Sequence, residues 1–238
     1  MIDISVLGDS ALLIRVVDNF DDAPEDALNR VLSATRALET AKIPGVIELA
    51  PAYTTVALFY DPARAADGGA NADDVLGWLS ERIREALSRE TSNALNLSNK
   101  PPVEIPVCYD LEFGFDLEEV ARRAGLDSKE VIDLHRGAEY RVHCLGFTGG
   151  FTFLGGLPQI LATPRRAAPR KEIPAGSVGI GGKQTGIYSI KSPGGWNVIG
   201  RTPLRLFDPQ KNPPTLLRAG DHVRFRAITR EEFERSNA

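Results

Sequence analysis

Hydrophobic and polar residues alternate in two different patterns in the first part of the chain, one typical of helices and one typical of strands. Apolar residues recur every three or four positions over 24–40 and 74–88, which predicts two amphipathic helices. Other stretches have the short apolar and β-branched character of strands. These are residues 4–16, read as two runs hinged at Gly8-Asp9-Ser10, and residues 46–50, 54–61 and 103–109. The order β-α-β-β-α-β predicts a ferredoxin-like α/β sandwich over residues 1–109.

Residues 110–238 predict a second domain in which two short helices precede many short strands. Asp116 and Asp127 stand where the two helices open. The β-type runs that follow alternate with glycine and proline, which is typical of a closed barrel or a sandwich. Thr229 to Glu232 has the pattern of a capping box and predicts a terminal helix. The polar segment 90–102 is the predicted linker or exposed loop, and the fold class is α+β.

The overall composition excludes several classes of protein. The chain is 42% hydrophobic and 25% charged, as expected for a globular protein, and its net charge of −4 disfavours general nucleic-acid binding. No signal peptide is recognisable, and no apolar run reaches the roughly 20 residues that cross a bilayer. Cys108 and Cys144 form neither a disulfide framework nor a zinc pattern. We expect a soluble cytoplasmic protein with reduced thiols.

Glycine and positive charge are concentrated between residues 146 and 200. This stretch holds 13 of the 22 glycines, and Glu172 is its single acid. Its six cations are Arg165, Arg166, Arg170, Lys171, Lys183 and Lys191. Exposed main-chain amides beside cations suit an anionic ligand or an acidic partner surface. The alternative is a barrel whose glycines serve only its turns.

The glycines match neither of the two common nucleotide-binding motifs. A P-loop requires Ser or Thr after Gly182-Lys183, but Gln184 stands there, and Ser177 replaces the first glycine. The dinucleotide fingerprint fails in the same stretch. Any nucleotide site must therefore be of another design or shared with another chain.

Histidine and cysteine offer little support for catalysis or metal binding. His143 and Cys144 are adjacent, so on a strand their side chains point to opposite faces. His135 lies on the apolar face of a predicted helix, where a buried structural or interface role is the simpler interpretation. His222 falls in a predicted turn. The spacing of these residues predicts no metal site.

Two segments supply candidate binding groups. Residues 163–171 hold four cations between prolines, and guanidinium groups bind carboxylate and phosphate through two parallel hydrogen bonds. A solvated basic loop is the alternative. Residues 184–188 and 192–196 place neutral donors and two aromatic rings among glycines. They either line a pocket or subunit interface, or form a structural corner around a buried Trp196.

The same segments resemble the KipI / allophanate hydrolase subunit 1 family. The resemblance covers nearly the whole chain and begins at Gly8-Asp-Ser-Ala-Leu12 and Pro51-Ala-Tyr-Thr-Thr55. It continues through Leu145-Gly-Phe147, Gly150-Phe-Thr-Phe-Leu-Gly-Gly156, Thr163-Pro-Arg-Arg166, Pro169-Arg170, Pro174-Ala-Gly-Ser-Val-Gly179, Gln184-Thr-Gly-Ile-Tyr188, Ser192-Pro-Gly-Gly-Trp196, Ile199-Gly-Arg-Thr-Pro203 and Gly220-Asp221.

The resemblance implies a fold, partners and an activity. It implies a small α+β domain followed by a cyclophilin-like β-barrel, and a KipA or PxpC-like partner with a PxpA-like third subunit. Together these would form an ATP-dependent 5-oxoprolinase that opens 5-oxo-L-proline to L-glutamate, with the isolated chain inactive. Two other activities are known in the family: inhibition of a histidine kinase, and a carboxyltransferase role in a urea or allophanate pathway.

The resemblance also directs attention to ten residues, and to none as nucleophile or general base. His143-Cys144 stands where the family has an aromatic and an apolar residue, which argues further against a catalytic pair. The expected residues for binding anions or substrate, or for lining the pocket or partner interface, are Arg165, Arg166, Arg170, Gln184, Thr185, Tyr188, Gly194, Gly195, Trp196 and Arg201.

Overall fold

The structure, a computed structural model, describes residues 2–89 and 101–236. The chain folds into two compact units, Met1–Asn99 and Lys100–Ala238. The boundary therefore precedes the strand at 103–107, which the sequence had assigned to the first domain. Most of the predicted linker, residues 90–100, lies outside the described residues. Every helix within the described ranges is too short or too polar to span a lipid bilayer.

The first unit packs helices on a four-stranded antiparallel sheet. The sheet order is β1-β2-β4-β3, and each neighbouring pair is antiparallel. The predicted helices and strands are confirmed to within a few residues. The elements are β1 (Asp3–Val6), β2 (Ala11–Arg15), α1 (Pro24–Ala41), β3 (Val46–Ala52), β4 (Thr55–Tyr60), α2 (Pro62–Asp67) and α3 (Val75–Ser88).

The core of this unit follows the hydrophobic periodicity of the sequence. Helix α1 buries Leu28 and Val31, and helix α3 buries Leu79 and Ile83 on the face that carries the i, i+3, i+4 pattern. The alternate residues of β4 turn inward, as a half-buried strand requires. Helix α2 was not predicted from the sequence. Its sequence nevertheless carries a start signal: Pro62 is the first residue, and the Asp61 side chain caps the helix by accepting the main-chain N–H of Ala63.

The ferredoxin-like prediction is not confirmed, because a different strand fills one edge of the sheet. Strands β2, β4 and β3 pair in the order that this topology requires. Its fourth place, beside β2, is taken by β1 through a hairpin closed by a hydrogen bond from Leu7 N to Ala11 O (2.9 Å). The strand at 103–107 instead pairs in parallel with residues 223–227 of the second unit.

The second unit is built around a seven-stranded sheet of order β12-β9-β10-β7-β6-β13-β5, with a separate β8–β11 ribbon. Its elements are β5 (Val103–Val107), α4 (Leu117–Ala124), α5 (Ser128–Gly137), β6 (Tyr140–Leu145), β7 (Thr152–Gly155), β8 (Arg170–Ile173), β9 (Ser177–Gly181), β10 (Gln184–Ile187), β11 (Ser192–Gly194), β12 (Asn197–Arg201), β13 (His222–Ala227) and α6 (Arg230–Ser236).

The sheet closes nearly completely into the predicted barrel. Cys108 follows edge strand β5, and Arg201 ends the other edge strand, β12. The two residues exchange main-chain hydrogen bonds of 2.9 Å in both directions, which joins the edges. The predicted capping box starts α6, since Thr229 Oγ1 accepts from Glu232 N (3.2 Å).

A chain of hydrogen bonds crosses the barrel core at the fully buried His135. The imidazole is bonded to Tyr109 Oη through Nδ1 (2.8 Å) and to Thr185 Oγ1 through Nε2 (3.0 Å), and it stacks on Phe225 at 4.5 Å. Thr185 Oγ1 donates to Gly179 O (3.0 Å), so Nε2 carries the proton and Nδ1 accepts from the tyrosine. Burial lowers the pKa of His135 from 6.5 to about 3. His135 is therefore a satisfied core histidine.

The burial of His135 predicts a barrel that loses stability in acid. Between pH 6.5 and about 3 the unfolded chain binds a proton at this residue that the folded chain does not. The contribution of His135 to the free energy of unfolding is thus fully present above pH 6.5. As the pH is lowered from 6.5 toward 3, this contribution decreases by roughly 1.4 kcal/mol per pH unit. Urea unfolding of the His135→Gln variant should show a slope with pH that is smaller by about this amount.

The measurement can be confined to the barrel by removing one tryptophan. In a Trp78→Phe background the buried Trp196 is the remaining indole, so its fluorescence reports the second unit. Equal slopes with pH for the parent and the His135→Gln variant would contradict the assignment of His135 as the neutral member of the hydrogen-bond chain.

Candidate functional site

Seven of the ten predicted residues lie together at one corner of the barrel, around the β8–β11 ribbon. Strand pairing sets Gly194 opposite Arg170. The main-chain N–H of Arg166 donates to Gly195 O at 2.7 Å, which fastens the basic loop to the turn after β11. The seven residues are Arg165, Arg166, Arg170, Tyr188, Gly194, Gly195 and Trp196.

A buried carboxylate that the sequence had not marked as a site residue organises this corner. The side chain of Asp116 is only 4% exposed. Arg170 donates Nη1 to Oδ2 and Nη2 to Oδ1, both at 2.7 Å, and Arg166 donates Nη1 to Oδ1 at 2.9 Å. Oδ2 also accepts the main-chain N–H of Val198 at 2.8 Å. Four charge-assisted hydrogen bonds therefore hold one carboxylate.

The local sequence brings Asp116 to this position. Gly114 permits close approach to β12, because a Cβ atom there would lie 2.3 Å from Ile199 O. The N–H of Asp116 donates to Val198 O at 2.9 Å, so Val198 binds both the main chain and the carboxylate of Asp116. Helix α4 begins after Asp116 as predicted, but this side chain makes no capping hydrogen bond with the helix. Its oxygens bind the arginines instead.

We call Asp116, Arg165, Arg166, Arg170 and Trp196 the arginine corner. Asp116 offsets one of the two positive charges that bind it in the inner part, while the outer part remains open to solvent. The side chains of Arg166 and Arg170 are 35% and 26% exposed, and Arg170 also lies over the Phe115 ring at 4.5 Å. Arg165 is exposed and lies over the Trp196 ring at 5.6 Å. Three guanidinium groups and one carboxylate leave a positive corner.

The glycines around Trp196 serve packing. A Cβ atom at Gly181 would lie 2.6 Å from the indole, and one at Gly194 would lie 2.2 Å from Tyr188 Oη. Trp196, Tyr188 and Phe151 form a buried aromatic cluster beneath the corner. This geometry matches the interpretation of the Pro-Gly-Gly-Trp turn as a structural corner around a buried Trp196. Arg165 lies over one face of the indole.

The three remaining predicted residues lie elsewhere. Thr185 faces the barrel interior, where it bonds His135, so it does not line a surface pocket. Arg201 donates Nε to Ala175 O at 2.8 Å and lies 5.9 Å from the Phe233 ring, which ties β12 to α6. Gln184 is half-buried at the start of β10.

His143 and Cys144 are both buried in β6. Burial, reinforced by Arg141, lowers the pKa of His143 to about 4, so the imidazole is neutral near pH 7. A Cβ atom at Gly155 would lie 2.2 Å from His143 Nε2, so glycine there makes room for the ring. These contacts indicate a packing role. No group of three or more His, Cys, Asp or Glu side chains in residues 2–89 and 101–236 is arranged to hold a metal ion.

One exposed aromatic residue stands out beside the corner. Phe147 is 69% exposed and has a left-handed backbone (φ 67°), which is rare for a bulky residue. Its loop is held by a hydrogen bond from Thr148 N to Gly146 O at 2.8 Å. From the sequence, Phe147 was named only as part of the family motif Leu145-Gly-Phe147 and not as a candidate site residue. The left-handed backbone is a strained conformation, and it leaves this apolar side chain in solvent.

The geometry of Asp116 predicts a large effect of its removal on stability. Asp116→Ala leaves two partly buried guanidinium groups without their carboxylate, so we expect a loss of about 3–5 kcal/mol in the free energy of unfolding. Asp133→Ala is the matched control, because Asp133 also binds an arginine (Arg136, 2.7 Å) but is 46% exposed. The control should lose no more than about 1 kcal/mol. Urea unfolding followed by Trp196 fluorescence distinguishes the two, and equal losses would refute the central role of Asp116.

Comparison with known proteins shows relatives that match nearly the whole chain. The chain is 46% identical over 240 residues to the B subunit of 5-oxoprolinase from Bacillus subtilis, covering 97% of this chain and 94% of that protein. It superposes on the crystal structure of TTHA0988 with a TM-score of 0.75 and 38% identity over 92% of this chain, but it spans only 40% of that longer chain.

The fold also recurs in a much larger enzyme. The K. lactis urea amidolyase superposes over 98% of this chain with a TM-score of 0.70, at 19% identity and over 15% of its own length. That likeness concerns the fold alone. The family model described as "Carboxyltransferase domain, subdomain C and D" matches residues 2–217. The chain therefore belongs to the carboxyltransferase-domain family, subdomains C and D.

Proposed function

We propose that this chain is the B subunit of a 5-oxoprolinase, a complex that opens 5-oxo-L-proline to L-glutamate with ATP. The observation that carries the proposal is the 46% identity to the corresponding 5-oxoprolinase chain of Bacillus subtilis, which extends over nearly the full length of both chains. Similarity that covers both units is consistent with a shared role for the whole chain.

The chemistry of the reaction explains what such a subunit contributes. A lactam resists hydrolysis near neutral pH because its amide is stabilised by resonance. Transfer of a phosphoryl group from ATP to the amide oxygen would make that oxygen a good leaving group. Catalysis of phosphoryl transfer depends mainly on positioning and on charge stabilisation. The arginine corner offers cations for this purpose, whereas its side chains include no free nucleophile.

The proposed complex shares the binding of ATP among its chains. The outer face of the arginine corner suits phosphate oxygens. The sequence has neither of the common glycine-rich nucleotide motifs, so recognition of the nucleotide as a whole falls to partner subunits in this proposal. These partners are a KipA or PxpC-like subunit and a PxpA-like subunit. In this proposal the exposed Phe147 is one of the residues available for contact with a partner.

Reconstitution tests the proposed function directly. We expect glutamate formation and ATP hydrolysis, both dependent on 5-oxoproline, when this chain is combined with its two proposed partners. Omitting this chain should abolish both activities, and the chain alone should have neither. Full activity in its absence, or no activity with all three chains present, would refute the proposal.

A second candidate is a carboxyltransferase role in a urea or allophanate pathway, which the family match favours. This activity requires a biotinylated carrier and a carboxylated product. Adding avidin to the reconstituted complex therefore distinguishes the two functions. Avidin binds biotin and so blocks a biotinylated carrier. If avidin abolishes ATP hydrolysis by the complex, carboxyl transfer is favoured; if 5-oxoproline-dependent ATP hydrolysis is unchanged, the 5-oxoprolinase is favoured.

A further inference from the structure

We propose that Arg165 and the outer edge of Arg166 form a binding site for one oxyanion, a carboxylate or a phosphate group. Asp116 and Arg170 form the fixed inner wall of this site. The site stands on its own geometry; only the identity of its natural ligand rests on the proposed function. Asp116 is then a positioning residue, because it binds the arginines and does not touch the ligand.

The hydrogen bonds of Arg166 leave one edge of its guanidinium group available. Among the described residues, the only acceptor for its side chain is Asp116, which takes Nη1. Its Nε lies buried without an acceptor. A buried N–H without an acceptor costs about 1–3 kcal/mol, so a ligand that supplies one is favoured. The side chain is 35% exposed although Nε itself is covered. An oxyanion that displaces the atoms covering Nε would bind the edge formed by Nε and Nη2 through two parallel hydrogen bonds.

The charges around this edge favour an anion. Asp116 is the only carboxylate within ion-pair distance of Arg165, Arg166 or Arg170 in the described part of the chain. The acid nearest in sequence to this loop, Glu172, is paired with Lys191 at 2.6 Å. Three guanidinium groups against one carboxylate leave two unbalanced positive charges. A bound carboxylate would offset one of these charges, and a phosphate dianion would offset both.

Arg165 supplies a second cation to the proposed site. It is exposed, forms no ion pair among the described residues, and lies over the Trp196 ring. This contact positions the guanidinium group at a gain of about 0.5–1 kcal/mol. The indole is 5% exposed, so movement of Arg165 toward an anion changes its immediate environment. The site therefore carries its own fluorescent reporter.

Phosphate and acetate titrations test the site without the other subunits. In the full chain with Trp78→Phe, we expect a saturable change in Trp196 fluorescence when inorganic phosphate or acetate is added at constant ionic strength with chloride as the balancing anion. Arg166→Gln should weaken binding at least about tenfold, since a charge-assisted pair of hydrogen bonds is lost. Lys211→Gln, at an exposed lysine outside the arginine corner, is the control and should bind like the parent.

A second variant separates charge from geometry. Arg166→Lys keeps the positive charge but lacks the two-pronged edge, so binding should still weaken about tenfold. It also provides the test if Arg166→Gln does not fold. Equal affinity in the parent, both Arg166 variants and Lys211→Gln would overturn the proposal. A fluorescence change that never saturates, or that chloride reproduces, would also overturn it.

The reconstituted complex identifies the natural source of the oxyanion. If the site receives the carboxylate of 5-oxoproline, Arg166→Lys raises the KM for 5-oxoproline and leaves the KM for ATP unchanged. If it receives a phosphate of ATP, the two effects are reversed. Phosphate binding without 5-oxoprolinase activity would refute the proposed function but support the site. 5-Oxoprolinase activity without anion binding at Arg166 would support the proposed function but refute the site.

Discussion

The buried carboxylate of Asp116 is the constraint on which the barrel corner depends. A charge at 4% exposure needs compensation, and three separate segments supply it: the main chain of β12, Arg166 in the basic loop and Arg170 in β8. Breaking such a group leaves an uncompensated buried charge, which is far more costly than losing a surface ion pair. The position of the basic loop is thus determined by a residue more than forty positions earlier in the chain.

This constraint changes the meaning of the cluster of cations and glycines. Much of the positive charge in residues 146–200 neutralises Asp116 or Glu172. Several of the glycines make room for the indole of Trp196 and the hydroxyl of Tyr188. What remains for a ligand is a smaller set of groups, namely Arg165 and one edge of Arg166. Fewer residues of this region are available for binding than the composition suggested.

The sequence predicted those features that depend on nearby residues. Helices α1 and α3, the capping box before α6 and the barrel strands follow from periodicity and local signals. The choice of edge strand in the first unit was wrong, because residues 103–107 have the same strand pattern whichever sheet they join. The role of Asp116 was equally hidden. Its arginine partners lie 50 and 54 residues away, and its local context is that of an ordinary helix start.

The two-layer arrangement of the corner has a functional logic. A flexible arginine loses up to about 2 kcal/mol of side-chain entropy when a ligand immobilises it. Binding by Asp116 fixes the Nη1 side of Arg166 during folding, so a ligand at the opposite edge bears less of that cost. A single arginine on Asp116 would leave the pair neutral. The second arginine makes the inner layer both rigid and positive, which is the combination that stabilises developing negative charge without reorganisation. A group of side chains that includes no nucleophile can stabilise a transition state in this way.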